Sequence, residues 1–105
     1  MDETDGNSLA GFACLMWYGD EGEILNIAVR TSARRNGIGQ RLMDAMLTEG
    51  AADGVRDFYL EVRESNAAAR HLYEKNGFEA LGIRKRYYTN PVENAVVMRK
   101  TIAME

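Results

Sequence analysis

Arg34-Arg35-Asn36-Gly37-Ile38-Gly39 stands between the apolar run Ile24-Leu25-Asn26-Ile27-Ala28-Val29 and a stretch with helical periodicity. A glycine-rich turn that opens a helix presents several backbone N–H groups at the positive end of the helix dipole. Such a turn suits a phosphate. Glycine lets a pyrophosphate approach the backbone closely, which is the role the pattern gives Gly37 and Gly39. Arg34 and Arg35 add positive charge, or are simply solvated. Two familiar phosphate loops do not fit. There is no Gly-x-x-x-x-Gly-Lys-Ser/Thr string, and Gly37-Ile38-Gly39 is followed by Gln40-Arg41-Leu42, without the third glycine of a dinucleotide fingerprint.

Working outward, the chain reads as one mixed α/β domain. Leu9 to Tyr18 is apolar and strand-like, Gly19 to Gly22 reads as a turn, and Glu23 to Val29 returns as a hairpin partner. From Gly37 to about Asp53 the pattern is helical. Ile38, Leu42, Met43, Ala45, Met46 and Leu47 form the apolar stripe, opposite Gln40, Arg41, Asp44 and Thr48. Gly54 is a C-terminal stop, and Gly50 weakens the last turn. In Asp57 to Val62, Phe58, Leu60 and Val62 alternate with polar or amphipathic residues, as in a strand with one buried face. Strand, helix, strand makes a βαβ unit, so these two strands should be parallel. Ser65 or Asn66 can cap a second helix, which presents Ala69, Leu72, Tyr73 and Asn76 on one face and ends at Gly77. Glu79 to Tyr88 and Asn94 to Ile102 read as strands around the turn Thr89-Asn90-Pro91. The count expected is about six strands and two main helices.

With 105 residues the chain is expected to be one domain, residues 9–105, after a flexible acidic and polar N-terminus over residues 1–8. A net charge of −3 and a pI of about 5.2 argue against general nucleic-acid binding. No apolar run approaches the roughly 18 residues of a membrane span. The single cysteine, Cys14, excludes an internal disulfide, fits a reducing cytoplasm, and reads as a packed strand residue. His71, the one histidine, falls on a polar helix side without partners at metal spacing, so no metal is expected.

The glycine turn fits Gln/Arg-x-x-Gly-x-Gly/Ala. With Leu60-Glu61-Val62-Arg63, Ser65-Asn66-Ala67-Ala68-Ala69, Leu72-Tyr73-Glu74-Lys75-Asn76-Gly77-Phe78 and Arg84-Lys85-Arg86-Tyr87-Tyr88, the chain resembles the GNAT superfamily of N-acetyltransferases. Within it, the chain is similar to the RimI-like ribosomal-protein alanine N-acetyltransferases. The resemblance runs from about Leu9 to Ile102 and implies the acyl-CoA N-acyltransferase fold, with one parallel strand pair at the cofactor cleft. Members of this superfamily usually carry a further strand, two helices and another strand first, so the chain reads as N-terminally truncated.

The resemblance implies acetyl-CoA as co-substrate and a protein N-terminus as acceptor, most specifically the N-terminal alanine of a small-subunit ribosomal protein. It places cofactor contacts at Ile27, Ala28, Val29, Arg34, Arg35, Asn36, Gly37, Ile38, Gly39, Gln40 and Asn66. Glu61 matches the family's base, and Tyr73 the acid that protonates the departing sulfur. Read from the residues alone, Glu61 is a strand glutamate or a salt-bridge partner of Arg63, Tyr73 is core, and Asn66 is a helix cap. Arg84 to Tyr88 could pass for a basic, aromatic nucleic-acid patch, and a strand lining an acceptor groove explains it as well. Other readings stay open: a different acceptor amine (lysine or a small molecule), a non-catalytic CoA-binding or dimerising remnant, a homodimer that completes the acceptor site, or a start further upstream.

Overall fold

The chain folds, in a computed structural model that describes residues 11–29 and 37–102, into one mixed sheet with two helices. Its elements are β1 (Gly11–Tyr18), β2 (Glu21–Val29), α1 (Ile38–Ala52), β3 (Asp57–Arg63), α2 (Ala67–Lys75), β4 (Glu79–Tyr88) and β5 (Glu93–Thr101). The expected strands are all present, and they number five among the described residues rather than about six. The expectations for residues 1–8 and for Arg34, Arg35 and Asn36 lie outside the described residues.

The sheet order is β1-β2-β3-β5-β4. Only β2 and β3 run parallel, as the βαβ reading requires; the other pairs are antiparallel. The first hairpin turn is tighter than expected. Gly19, at φ +64°, and Asp20 suffice, so β2 begins at Glu21.

The core lies on the face of the sheet that meets the helices. Phe58, Leu60 and Val62 of β3 are buried, as their alternation predicts, and pack in one cluster with Met43 and Met46 of α1, Tyr73 of α2, Phe78, Val96 and Met98. Phe58, Met43 and Met98 are fully buried. Side chains of this size each gain about 1.5–3 kcal/mol on burial. The α1 stripe is narrower than its sequence pattern: Ile38, Leu42 and Leu47 are half-buried and Ala45 is exposed. Gln40, placed on the polar side by its chemistry, is half-buried instead, because its amide is engaged by α2.

Both helices end in the same hydrogen-bonded motif. After α2, the Phe78 N–H donates to the Tyr73 carbonyl at 3.0 Å and the Gly77 N–H to Glu74 at 3.0 Å. After α1, Val55 donates to Gly50 at 2.9 Å and Gly54 to Ala51 at 3.1 Å. This is the Schellman closure that Gly77 and Phe78 announce. The Tyr73 and Phe78 rings complete it edge to face, 6.0 Å between centroids.

Cys14 departs from its expected packed position: it is exposed. The cause is strand alternation, and the hairpin also carries a β-bulge. Cys14 pairs with Asn26 but Leu15 pairs with Ile24, so Leu25 is left over. Leu15 pairs with the buried Ile24 and packs against the core, so its neighbour Cys14 faces the other side of the sheet.

Candidate active site

The site begins where the parallel ladder stops. Glu21 pairs with Asp57, Gly22 with Phe58, Glu23 with Tyr59 and Ile24 with Leu60. Beyond that point β2 runs on to Val29 and β3 to Arg63 without pairing to each other. Each strand keeps its outer neighbour, β1 as far as Val29 and β5 as far as Arg63. The Leu25 bulge falls one residue after the last parallel pair, and a bulge bends its strand. The pair therefore splays toward its C-terminal ends. Ile27, Ala28 and Val29 lie on the parted stretch, where among the described residues no strand pairs with β2 on the side of the gap.

α1 opens from the same end of the sheet, after β2. Gly37 precedes it in the left-handed region, at φ +75° and ψ 15°, where a side chain is strained. Glycine cannot cap through a side chain, and the first turn carries no acidic residue. The first helical hydrogen bond closes from the Arg41 N–H to the Gly37 carbonyl at 3.0 Å. Among the described residues, nothing accepts from the N–H groups of Ile38, Gly39 and Gln40. The Gln40 side chain is committed elsewhere. It donates to Asp44 and to Asn76, each at 2.8 Å, and Asn76 donates back at 2.9 Å. What Gln40 can offer a ligand is its backbone N–H.

α2 differs. Asn66 caps it, accepting from the Ala69 N–H at 3.1 Å through Oδ1. The capping role read from the residues is thus present, and it leaves the Nδ2 donor outside the cap.

Glu61 faces away from the helices. Its carboxylate pairs with the Arg84 guanidinium at 2.5 Å, not with Arg63, which pairs with Glu93 at 3.2 Å. Sequence neighbourhood misleads here because Arg84 reaches across β5: Glu61 stands beside Val97 and Arg84 beside Ala95. The Arg84 guanidinium also lies 4.7 Å over the Tyr87 ring. Hydrogen bonding to Glu61, and then its charge, push the Tyr87 phenol above its ordinary pKa. Glu61 lines a cleft of about 390 Å³ on this open face, with Trp17, Glu21, Glu23, Tyr59 and Val97.

Tyr73 sits on the helix side, 8% exposed. Burial raises its phenol pKa, and the charge of Tyr88 adds to that. Tyr88 is itself raised by burial and then by Glu61. Glu61 and Tyr73 thus lie on opposite faces of the sheet. Among the described residues, no three His, Cys, Asp or Glu side chains are arranged to hold a metal ion, and no helix is long and apolar enough to cross a membrane.

The profile of the Acetyltransferase (GNAT) family matches residues 1–78. The chain belongs to this family. It is 40% identical over 103 residues to the [ribosomal protein bS18]-alanine N-acetyltransferase of Escherichia coli K12, covering 96% of this chain and 70% of the relative. It is 42% identical over 97 residues to the same-named protein of Haemophilus influenzae, covering 90% and 66%. The crystal structure of the Escherichia coli ribosomal-protein-S18-alanine N-acetyltransferase superposes with a TM-score of 0.86 at 39% identity, over 97% of this chain and 67% of that one. This GNAT chain thus has the fold its motifs imply. What sequence reasoning missed at the site is Arg84 as the partner of Glu61, and the places of Arg63 and Tyr88. The alternation within Arg84 to Tyr88 was the available signal, but the pairings depend on strand order.

Proposed function

We propose that this GNAT chain transfers acetyl from acetyl-CoA to the N-terminal amine of a protein, with the alanine N-terminus of a ribosomal protein as the acceptor its relatives point to. One observation carries the reading. The strands part on the side where α1 opens with no side-chain cap among the described residues, and Glu61 stands on the opposite face of the same sheet.

The chemistry follows from that arrangement. The N–H groups of Ile38, Gly39 and Gln40 hold the diphosphate of acetyl-CoA at the positive end of α1. The thioester then enters the splay, where a backbone N–H between Ile27 and Val29 donates to the carbonyl oxygen as it gains charge. A protein α-amine has a pKa near 7.7–8.0 and is largely protonated at pH 7. Glu61 removes that proton, directly or through water, and the neutral nitrogen attacks the thioester carbon. The adduct nitrogen then loses its second proton to water, the tetrahedral intermediate collapses with cleavage of the C–S bond, and the thiolate takes a proton from Tyr73, which solvent reprotonates. A phenol whose pKa is raised by burial arrives at this step with its proton in place. Asn66 steadies the pantetheine arm through Nδ2.

The setting is the cytoplasm, where acetyl-CoA and ribosomal proteins meet. The exposed Met16, Leu25 and Tyr87 give a second copy an apolar surface on which to complete the acceptor wall, and sedimentation tests that. The deciding experiment is an acetylation assay on peptides that differ only in their N-terminal residue. Turnover with a preference for alanine supports the reading; no turnover on any peptide α-amine refutes it.

A further inference from the structure

Arg63 does more than its place at the end of β3 requires. Its Nη1 donates to the Pro91 carbonyl at 3.0 Å and to Glu93 Oε1 at 3.2 Å, and its Nη2 to the Thr89 carbonyl at 3.1 Å. Its guanidinium lies 4.5 Å over the Tyr88 ring. One side chain thus holds the turn between β4 and β5 at two carbonyls, one carboxylate and one aromatic face. The other Glu93 oxygen accepts from the Ser65 N–H at 2.5 Å, tying the same turn to the corner where α2 begins. The Tyr88 ring meets Tyr87 edge to face at 5.1 Å, and Tyr87 is stacked under Arg84, the partner of Glu61. An unbroken run of contacts therefore leads from Ser65 through Glu93, Arg63, Tyr88, Tyr87 and Arg84 to Glu61.

We propose that Arg63 is a positioning residue for the acceptor: it locks the β4–β5 turn and Tyr88 into a preformed wall beside Glu61. The proposal rests on the acetyltransferase reading above and adds to it a residue with no part in the chemistry. A guanidinium suits this task and an ammonium does not. The planar fork can serve two carbonyls and a carboxylate while stacking on a ring; lysine offers a point charge on a flexible stem. Without the clamp, the acceptor has to order the turn as it binds, and that cost appears in acceptor affinity.

Arg63→Met, Arg63→Lys and Glu93→Gln test this by steady-state kinetics on an alanine-initiated peptide. CoA affinity is measured by calorimetry, and the amides of residues 86–94 are followed by hydrogen exchange. Arg63→Met should raise the acceptor KM on the order of ten-fold, with kcat and CoA affinity nearly unchanged. Arg63→Lys should recover only part of that, and Glu93→Gln should show a smaller rise. Exchange should quicken in the turn alone. An unchanged acceptor KM in an active Arg63→Met enzyme would overturn the proposal. A parallel loss of kcat and CoA affinity marks general damage, and Glu93→Gln, the milder change, then decides: a rise in acceptor KM alone supports the proposal, and an unchanged KM overturns it. An inactive wild-type chain would instead remove the acetyltransferase reading on which the proposal rests.

Discussion

The Phe58 ring occupies the space where a side chain on Gly50 would have to go: a Cβ built there stands 2.7 and 2.8 Å from two ring carbons. Gly50 lies inside α1 and is buried, while Phe58 is fully buried at the centre of β3. The helix accepts a poor helix former so that it can lie close to the sheet. Gly50→Ala gains about 1 kcal/mol of helix propensity. It also overpacks a rigid ring, which typically costs about 1–3 kcal/mol. The expected net effect is destabilising. Thermal unfolding should show a lower Tm, and a raised one would mean that the ring yields without strain.

Gly39→Val places a branched side chain on the first turn of α1, where the proposed diphosphate meets the backbone. Calorimetry should show loss of CoA binding with the fold retained by circular dichroism. Unchanged affinity would remove the α1 N-terminus from the cofactor site.

Tyr73→Phe keeps the ring against Phe78 and removes only the hydroxyl. The expected loss in kcat is about 10²-fold or more, the range for a positioned acid, with CoA affinity intact. The pH profile gives a second readout. A raised pKa means the phenol keeps its proton past the ordinary value of about 10. Wild-type kcat should therefore hold through pH 10 before it falls as the phenol ionises, and the variant should lack that alkaline limb. Wild-type turnover in the variant would exclude Tyr73 as the acid.

Glu61→Gln preserves size but cannot accept the proton of the acceptor amine. Below the amine pKa of about 7.7–8.0 the base has most to do. The rate loss should be largest there and shrink above pH 8, where the amine is already neutral. A loss of equal size at every pH would count against a base and favour a role in holding Arg84.

The elements that were legible from the residues are those set by local chemistry. Phe58, Leu60 and Val62 alternate because one face of β3 is buried, and Gly77 ends α2 because its backbone is left-handed at φ +94°. The parallel pair followed from the βαβ order. Cys14 and Gln40 differ from expectation because their surroundings are set by other segments: Leu15 takes the core side opposite Ile24 and leaves Cys14 outward, and Asn76 draws Gln40 in. The partner of Glu61 was hidden for a similar reason. Arg63 is near in sequence, but Arg84 is near in space only once β4 and β5 have paired. The phosphate turn was recognisable as a motif, although Arg34 to Asn36 lie outside the described residues.

The parallel ladder of β2 and β3 ends after Ile24 and Leu60, while α1 lies on one face of the sheet and Glu61 on the other. Under the proposed reading, donor and acceptor then come in by opposite doorways and meet only at the sill. Neither blocks the other's way in, so both can be aboard before any bond changes. Initial-rate lines for the two substrates should then intersect rather than run parallel.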